Sequence, residues 1–130
     1  RLAFASNFEE AISSGFKQIA DFAKAMKAKL TLLYINTPVN FETSVDSKAK
    51  LEAFQKQYPD IIDQFEVYNH YTEDEGIINY MESEKPDVLT IATHGRKGWT
   101  RVFTGSITES LIAHSDFPVL SVNLSQQANQ

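Results

Sequence analysis

The residues best suited to chemistry lie between Ile91 and Thr108. An apolar run ending at Ala92 leads into Thr93-His94-Gly95-Arg96-Lys97-Gly98-Trp99-Thr100-Arg101, and Gly105-Ser106 then opens a second apolar segment of helical spacing. A strand feeding a glycine-containing loop that ends at a helix start suits a phosphate group. Glycine lets backbone N–H groups approach an anion, and the first helical turn offers unpaired donors and a partial positive charge. Arg96, Lys97 and Arg101 gather cations here in a chain whose net charge is −5. The competing reading is a surface loop whose cations are simply solvated. Neither of the two common phosphate fingerprints, G-x-x-x-x-G-K-S/T or G-x-G-x-x-G, is present.

Other reactive side chains are less organised. His94 precedes Gly95, where it either turns a ring nitrogen toward phosphate or shapes the turn. His70 and His114 have no sequence-adjacent partners and read as structural or exposed residues. Three scattered histidines without cysteine do not compose a metal site. Ser106, His94 and an aspartate can be drawn as a hydrolase triad, but no G-x-S-x-G elbow orders them, and no catalytic residue is assigned. Glu73-Asp74-Glu75 reads as the acidic start of a helix, favoured by its dipole. Trp99 either packs on its own domain or stacks on a ligand or partner.

The elements that must position these groups alternate. Leu2–Ala5 reads as a short buried strand. Ser6 or Asn7 offers an N-cap, with Glu9 or Glu10 completing a capping box, and a helix is expected from about Phe8 to Lys27. Leu30–Ile35 is a strand that Pro38 ends, and residues 37–43 form a loop. Val45, Ala49, Leu51, Phe54 and Tyr58 mark a second helix, stopped by Pro59. Phe65–Tyr68 alternates weakly, as an edge strand does. Thr72 then caps a short helix carrying Ile77, Ile78 and Met81. Asp87–Ala92 is a strand, Ile107, Leu111 and Ile112 mark a fourth helix, and Phe117–Val122 is a last strand. Strands alternating with helices imply a parallel sheet covered on both faces, with the βα loops gathered at its carboxyl edge.

Composition narrows the function classes. A chain of 130 residues, 42% apolar, fits one ordinary domain; residues 1–124 are read as that domain and 125–130 as a polar tail. The acidic balance argues against a sequence-independent nucleic-acid binder. The absence of cysteine removes disulfides, thiolate zinc and redox thiols. No apolar run approaches the roughly 18 residues of a membrane span, and no secretory leader is seen, so a cytoplasmic protein is expected. Because apolar residues begin at once after Arg1, a fragment of a longer chain, one domain of a tandem pair, is also expected.

The spacing Ala92-x2-Gly95-x9-Gly105-Ser106, followed by Phe117-Pro118-Val119-Leu120, resembles the carboxyl half of a universal stress protein domain, whose nucleotide-binding members carry G-x2-G-x9-G-S/T. Phe4-Ala5-Ser6-Asn7-Phe8-Glu9-Glu10 is similar to the family's first strand and following turn, and Leu32-Leu33-Tyr34-Ile35 to its second strand. The resemblance implies an open five-stranded parallel α/β sheet of adenine nucleotide α-hydrolase-like, Rossmann-like type. It implies ATP or another adenine nucleotide as ligand, with Mg2+ accompanying it, in a regulatory stress-response role. Carried over, Gly95, Gly105, Ser106, Ile107 and Thr108 would cradle phosphate beside His94 and Ala92. Ile35 would face the adenine, and Ala5 and Asn7 would flank the nucleoside. Two positions depart from the family pattern: Asn7 stands where it has an acid, and Ala92 where it has its first glycine. These departures motivate the alternative of a dimeric interaction module without nucleotide, paired through the last strand. Weak ATP hydrolysis is the enzymatic alternative.

Overall fold

The structure is a computed structural model that describes residues 1–6, 8, 13–93, 111, 113 and 116–123. Its elements run β1 (Leu2–Ala5), α1 (Ser13–Ala25), β2 (Leu30–Asn36), α2 (Ser44–Gln57), β3 (Ile62–Asn69), α3 (Glu73–Glu84), β4 (Val88–Thr93) and β5 (Val119–Asn123). Leu111 and Ala113, between β4 and β5, also carry helical backbone. The five strands form one sheet in the order β3-β2-β1-β4-β5, and every pairing is parallel. The expected α/β architecture is the one observed.

Alternate strand residues build two cores, as the two-residue period of a pleated strand requires. Phe4, Leu30, Leu32, Tyr34 and Ala92 pack with Phe16 and Ile19 of α1 and Leu51 and Phe54 of α2. Ala3, Ala5, Leu33, Ile35, Leu89 and Ile91 pack with Ile77, Tyr80 and Met81 of α3 and with Leu111. The central strands β1, β2 and β4 are therefore buried on both faces, which is why they read as continuous apolar runs. Within the sheet, the buried Thr90 hydroxyl donates to the Ala3 carbonyl at 2.9 Å, so a polar side chain sits between two central strands without an unmet bond. At the amino edge, Arg1 reaches across the sheet to Asp63 through two bonds of 2.8 Å and to Thr31.

Several element ends differ from the sequence expectation. Phe8 is not the first residue of a helix: its φ is 58°, and its buried ring meets Phe4 at 5.6 Å and Phe54 at 5.3 Å. Packing of the ring holds Phe8 out of helical conformation, while the capping candidates Asn7, Glu9 and Glu10 lie outside the described residues. Helix α1 also ends at Ala25, before Lys27. Lys27 adopts the left-handed conformation while Ala28 N–H bonds Ala23 O and Lys27 N–H bonds Lys24 O, the paired bonds of a Schellman terminus with lysine in place of glycine. On α2, Val45 is exposed and Ser47 is buried in its stead, its hydroxyl donating to the carbonyls of Thr43 and Ser44. Thr43 and Thr72 cap α2 and α3 by accepting from the N–H groups of Asp46 and Glu75.

Candidate functional site

The strand order turns back at β1. The chain proceeds from β1 outward to β2 and β3, then returns across the sheet to β4 on the other side of β1. The segments that follow β1 and β4 therefore leave neighbouring parallel strands at the same, carboxyl edge of the sheet. Open α/β sheets bind ligands at this switch point. The two segments that the sequence singles out, residues 5–8 and the run from Ala92 onward, leave from these two neighbouring strands.

Ala5 ends β1 in register with Ile91 of β4, so Ala92 stands one residue further toward the carboxyl edge. Both are buried, Ala5 in the core under α3 and Ala92 in the core under α1. Ala92 is a strand residue paired with Val122, and it is not among the residues with positive φ. The position where the family carries its first glycine therefore makes no demand here that alanine cannot meet. Beyond Ala5, the chain is shaped by a tight turn: Ser6 N–H donates to Leu33 O at 3.1 Å, and Ser6 Oγ accepts from Phe8 N–H at 3.0 Å. With Phe8 held left-handed, this turn carries strained backbone beside the switch point, where strain is commonly stored. Asn7, His94, Gly95, Gly105, Ser106, Ile107 and Thr108 lie outside the described residues, as do Trp99, Arg101 and His114.

Ile35 is 4% exposed, beneath the first turn of α3. A Cβ added to Gly76 would fall 2.6 Å from Ile35 Cγ2 and 3.0 Å from His70 Cβ, so the helix backbone rests on this side chain. The structure thus brings Ala5 and Ile35 into one core, with Ala92 on the opposite face.

One feature of the carboxyl edge was not expected from the sequence. The loops after β2 and β3 form a cleft of about 540 Å³, walled by Pro38, Phe41, His70 and Tyr71 with the amides of Asn36 and Asn69 at its base. Asn36 organises it. Its Nδ2 donates to Glu42 O and Asn69 Oδ1, its Oδ1 accepts from Glu42 N–H, and its carbonyl accepts from His70 N–H. His70 Nε2 lies 3.3 Å from Asn79 Nδ2, and its Nδ1 lies 3.9 Å from Glu75 Oε2. Next to it, the Glu73 carboxyl is pushed up from its ordinary range by burial and by Asp74. The sequence signal for this cleft is faint: two large aromatics, Phe41 and Tyr71, in segments otherwise made of turn residues.

Comparison with known proteins decides the family. The model of the universal stress protein family matches residues 7–123. The chain belongs to the universal stress protein family. The universal stress protein MJ0577 of Methanocaldococcus jannaschii is 28% identical over 109 residues, 82% of this chain and 58% of that protein, so the chain spans little more than half of that relative. The solved structure of MJ0577 superposes with a TM-score of 0.73 at 23% identity, covering 94% of each chain. Two further universal stress protein structures share the fold. One, in complex with cAMP, has a TM-score of 0.66 at 14% identity over 95% of this chain and 96% of its own. The other, from Archaeoglobus fulgidus in complex with dAMP, has a TM-score of 0.64 at 11% identity over 93% and 95%. Among the described residues, no helix of this universal stress protein domain is long and apolar enough to cross a membrane, and no group of three or more His, Asp or Glu is placed to hold a metal.

Proposed function

We propose that this universal stress protein domain binds an adenine nucleotide, ATP or a related adenylate, at the switch point between β1 and β4, and that occupancy regulates its association with partners in a stress response. The observation that carries the reading is topological. The strand order sends the segment after Ala5 and the glycine-containing segment after Ala92 out of adjacent strands at the same sheet edge. Family members of the same fold in complex with cAMP and dAMP support the ligand class. In this reading Gly95, Gly105, Ser106, Ile107 and Thr108 hold phosphate with His94, while Ala5, Asn7 and Ile35 border the nucleoside. Mg2+ arrives with the nucleotide, held by phosphate oxygens and water. The site acts by binding, in the cytoplasm, and no residue is assigned a catalytic role.

Calorimetry with ATP and Mg2+ tests this. The expected result is saturable heat that Gly105→Val abolishes. No heat and no thermal shift at millimolar nucleotide overturn it.

A second reading is favoured by the placement of Ile35. Its side chain, assigned to the adenine, lies under the first turn of α3. A domain in which that surface stays covered serves as an interaction module without nucleotide, pairing through the edge strand β5, whose outer side has no strand beside it among the described residues. Light scattering distinguishes the two: a dimer indifferent to ATP supports this reading, and a monomer at high concentration removes it.

A further inference from the structure

Five large apolar side chains are exposed among the described residues, and four of them, Val39, Phe41, Val45 and Tyr71, belong to the loops after β2 and β3 or the helix start that follows. Phe41 is 67% exposed and Tyr71 80%, although both wall the cleft at this end of the sheet. Two large exposed aromatics lining one cleft mark a place where another molecule sits.

The exposure does not come from slack backbone. Asn36 clasps Glu42 through both ends of its amide, at 3.1 and 2.9 Å. Thr37 Oγ1 accepts from Asn40 N–H, the Tyr34 hydroxyl donates to Asn40 O, and Lys50 meets Glu42 at 2.7 Å. The loop carrying Phe41 is tied down at its base while its apolar side chains face outward, so little ordering remains to be done when a partner arrives.

Charge names the partner. Helix α3 opens with Glu73, Asp74 and Glu75 directly after Tyr71 and Thr72, and Glu75 approaches the ring of His70 in the cleft wall. Lys50 of α2 is engaged by Glu42, and no lysine or arginine lines the cleft among the described residues. The whole chain is acidic, at −5. Val39 and Val45, exposed as well, flank Phe41 in the chain.

We propose that this cleft docks a basic protein segment bearing one large aromatic or aliphatic anchor. The anchor enters between Phe41 and Tyr71, and flanking Lys or Arg side chains meet the carboxylates that begin α3. Such surfaces rely on a few central apolar anchors, with charge steering the approach. The inference does not rest on nucleotide binding, whose phosphate-holding residues are assigned to the segment after β4; Ile35, assigned to the nucleoside, adjoins the cleft through Asn36.

The test uses a labelled octapeptide with a central Trp between lysines, read by fluorescence anisotropy without nucleotide. Saturable binding is expected, weaker by about tenfold for the same peptide with Ala in place of Trp, and by about tenfold for the Phe41→Ser/Tyr71→Ser protein. Glu73→Gln/Glu75→Gln is expected to weaken binding and reduce its salt dependence. Both aromatics are largely exposed, so the double variant keeps its fold, checked by its melting curve. Absence of saturation up to millimolar peptide overturns the proposal, as does equal binding by the Ala peptide or by the double variant. Displacement of the peptide by adenosine overturns it in favour of a small-ligand site. A concentration-dependent dimer that the double variant loses overturns it in favour of a second copy of the chain.

Discussion

Gly76 of α3 lies against Ile35 of β2 so closely that a Cβ on the glycine would stand 2.6 Å from Ile35 Cγ2. The contact sets the height of α3 above the sheet and seals the end of the core beneath it. A helix interior ordinarily gains from Gly→Ala, by roughly 0.5–1 kcal/mol. Here the methyl meets a β-branched, buried side chain with little room to yield, and overpacking costs about 1–3 kcal/mol. Gly76→Ala is therefore expected to destabilise, seen as a lower urea midpoint. Combining it with Ile35→Ala, which removes the contacting Cγ2, is expected to cost less than the sum of the two single substitutions. A midpoint unchanged or raised by the single substitution would show that the helix can lift without penalty.

Asn36 carries a second local prediction. Its amide holds Glu42 by two bonds and Asn69 by a third, all at the base of the cleft. Asn36→Ala leaves the Glu42 peptide groups to find other partners, and stranding such groups costs about 1–3 kcal/mol. Faster amide exchange in residues 37–43 is expected, with little change in α1. Uniform loss of protection across the sheet would instead place Asn36 in the global core.

How far the sequence could carry this structure depends on which interactions are local. Strands β1, β2 and β4 are legible because burial on both faces turns them into unbroken apolar runs. Two residues at the expected bounds of the first helix lie outside it, Phe8 and Lys27. At Phe8 a ring packed against Phe4 and Phe54 accompanies a left-handed backbone that local propensity does not announce. At Lys27 a left-handed terminus forms without the glycine that would have announced it. On α2, Val45 and Ser47 exchange the places that hydropathy assigns them, because Ser47 satisfies its hydroxyl on its own helix and so enters the core. The glycine spacing from Ala92 to Ser106 is readable because its chemistry is sequential. The cleft is not, because Phe41 and Tyr71 stand far apart in the chain and meet only when β2 and β3 pair.

Tyr80 gives the fold an alkaline limit. Burial, with Glu66 and Glu84 nearby, pushes its phenol up to about 12, whereas the unfolded chain ionises near 10. The folded state thus favours the neutral phenol. Its contribution to stability is complete below pH 10 and is lost as pH rises toward 12. Urea midpoints measured between these limits are expected to fall more steeply for the wild type than for Tyr80→Phe. Parallel slopes would assign the alkaline loss to other groups.

Asp63 acts with the opposite sign at acid pH. The Arg1 guanidinium, hydrogen-bonded to it, holds its carboxyl below the ordinary carboxylate range. A depressed folded pKa contributes stability that is present above the unfolded value near 4 and lost as pH falls through the folded one. The pair is partly exposed, so the effect is small and screened by salt. Asp63→Asn is expected to flatten the stability profile below pH 4 and to matter less at high ionic strength. An unchanged acid limb would mean that the pair contributes nothing measurable.

Ala92 tests how the nucleotide reading treats its most visible departure from the family pattern. Restoring glycine there would raise affinity if the alanine methyl crowded the ligand or resisted the required backbone. Neither condition is met by the geometry: Ala92 lies in ordinary strand conformation, paired with Val122, and its methyl is buried in the core beneath α1. Glycine at this position loses that packing and adds freedom to the unfolded chain, at a cost of roughly 1 kcal/mol. Ala92→Gly is thus expected to lower the melting temperature while leaving ATP affinity, measured by calorimetry with the ligand in excess over the folded protein, within about twofold. A tenfold gain in affinity would show that the first glycine of the pattern acts on the ligand directly, and that its replacement here weakens a site that the rest of the loop still forms.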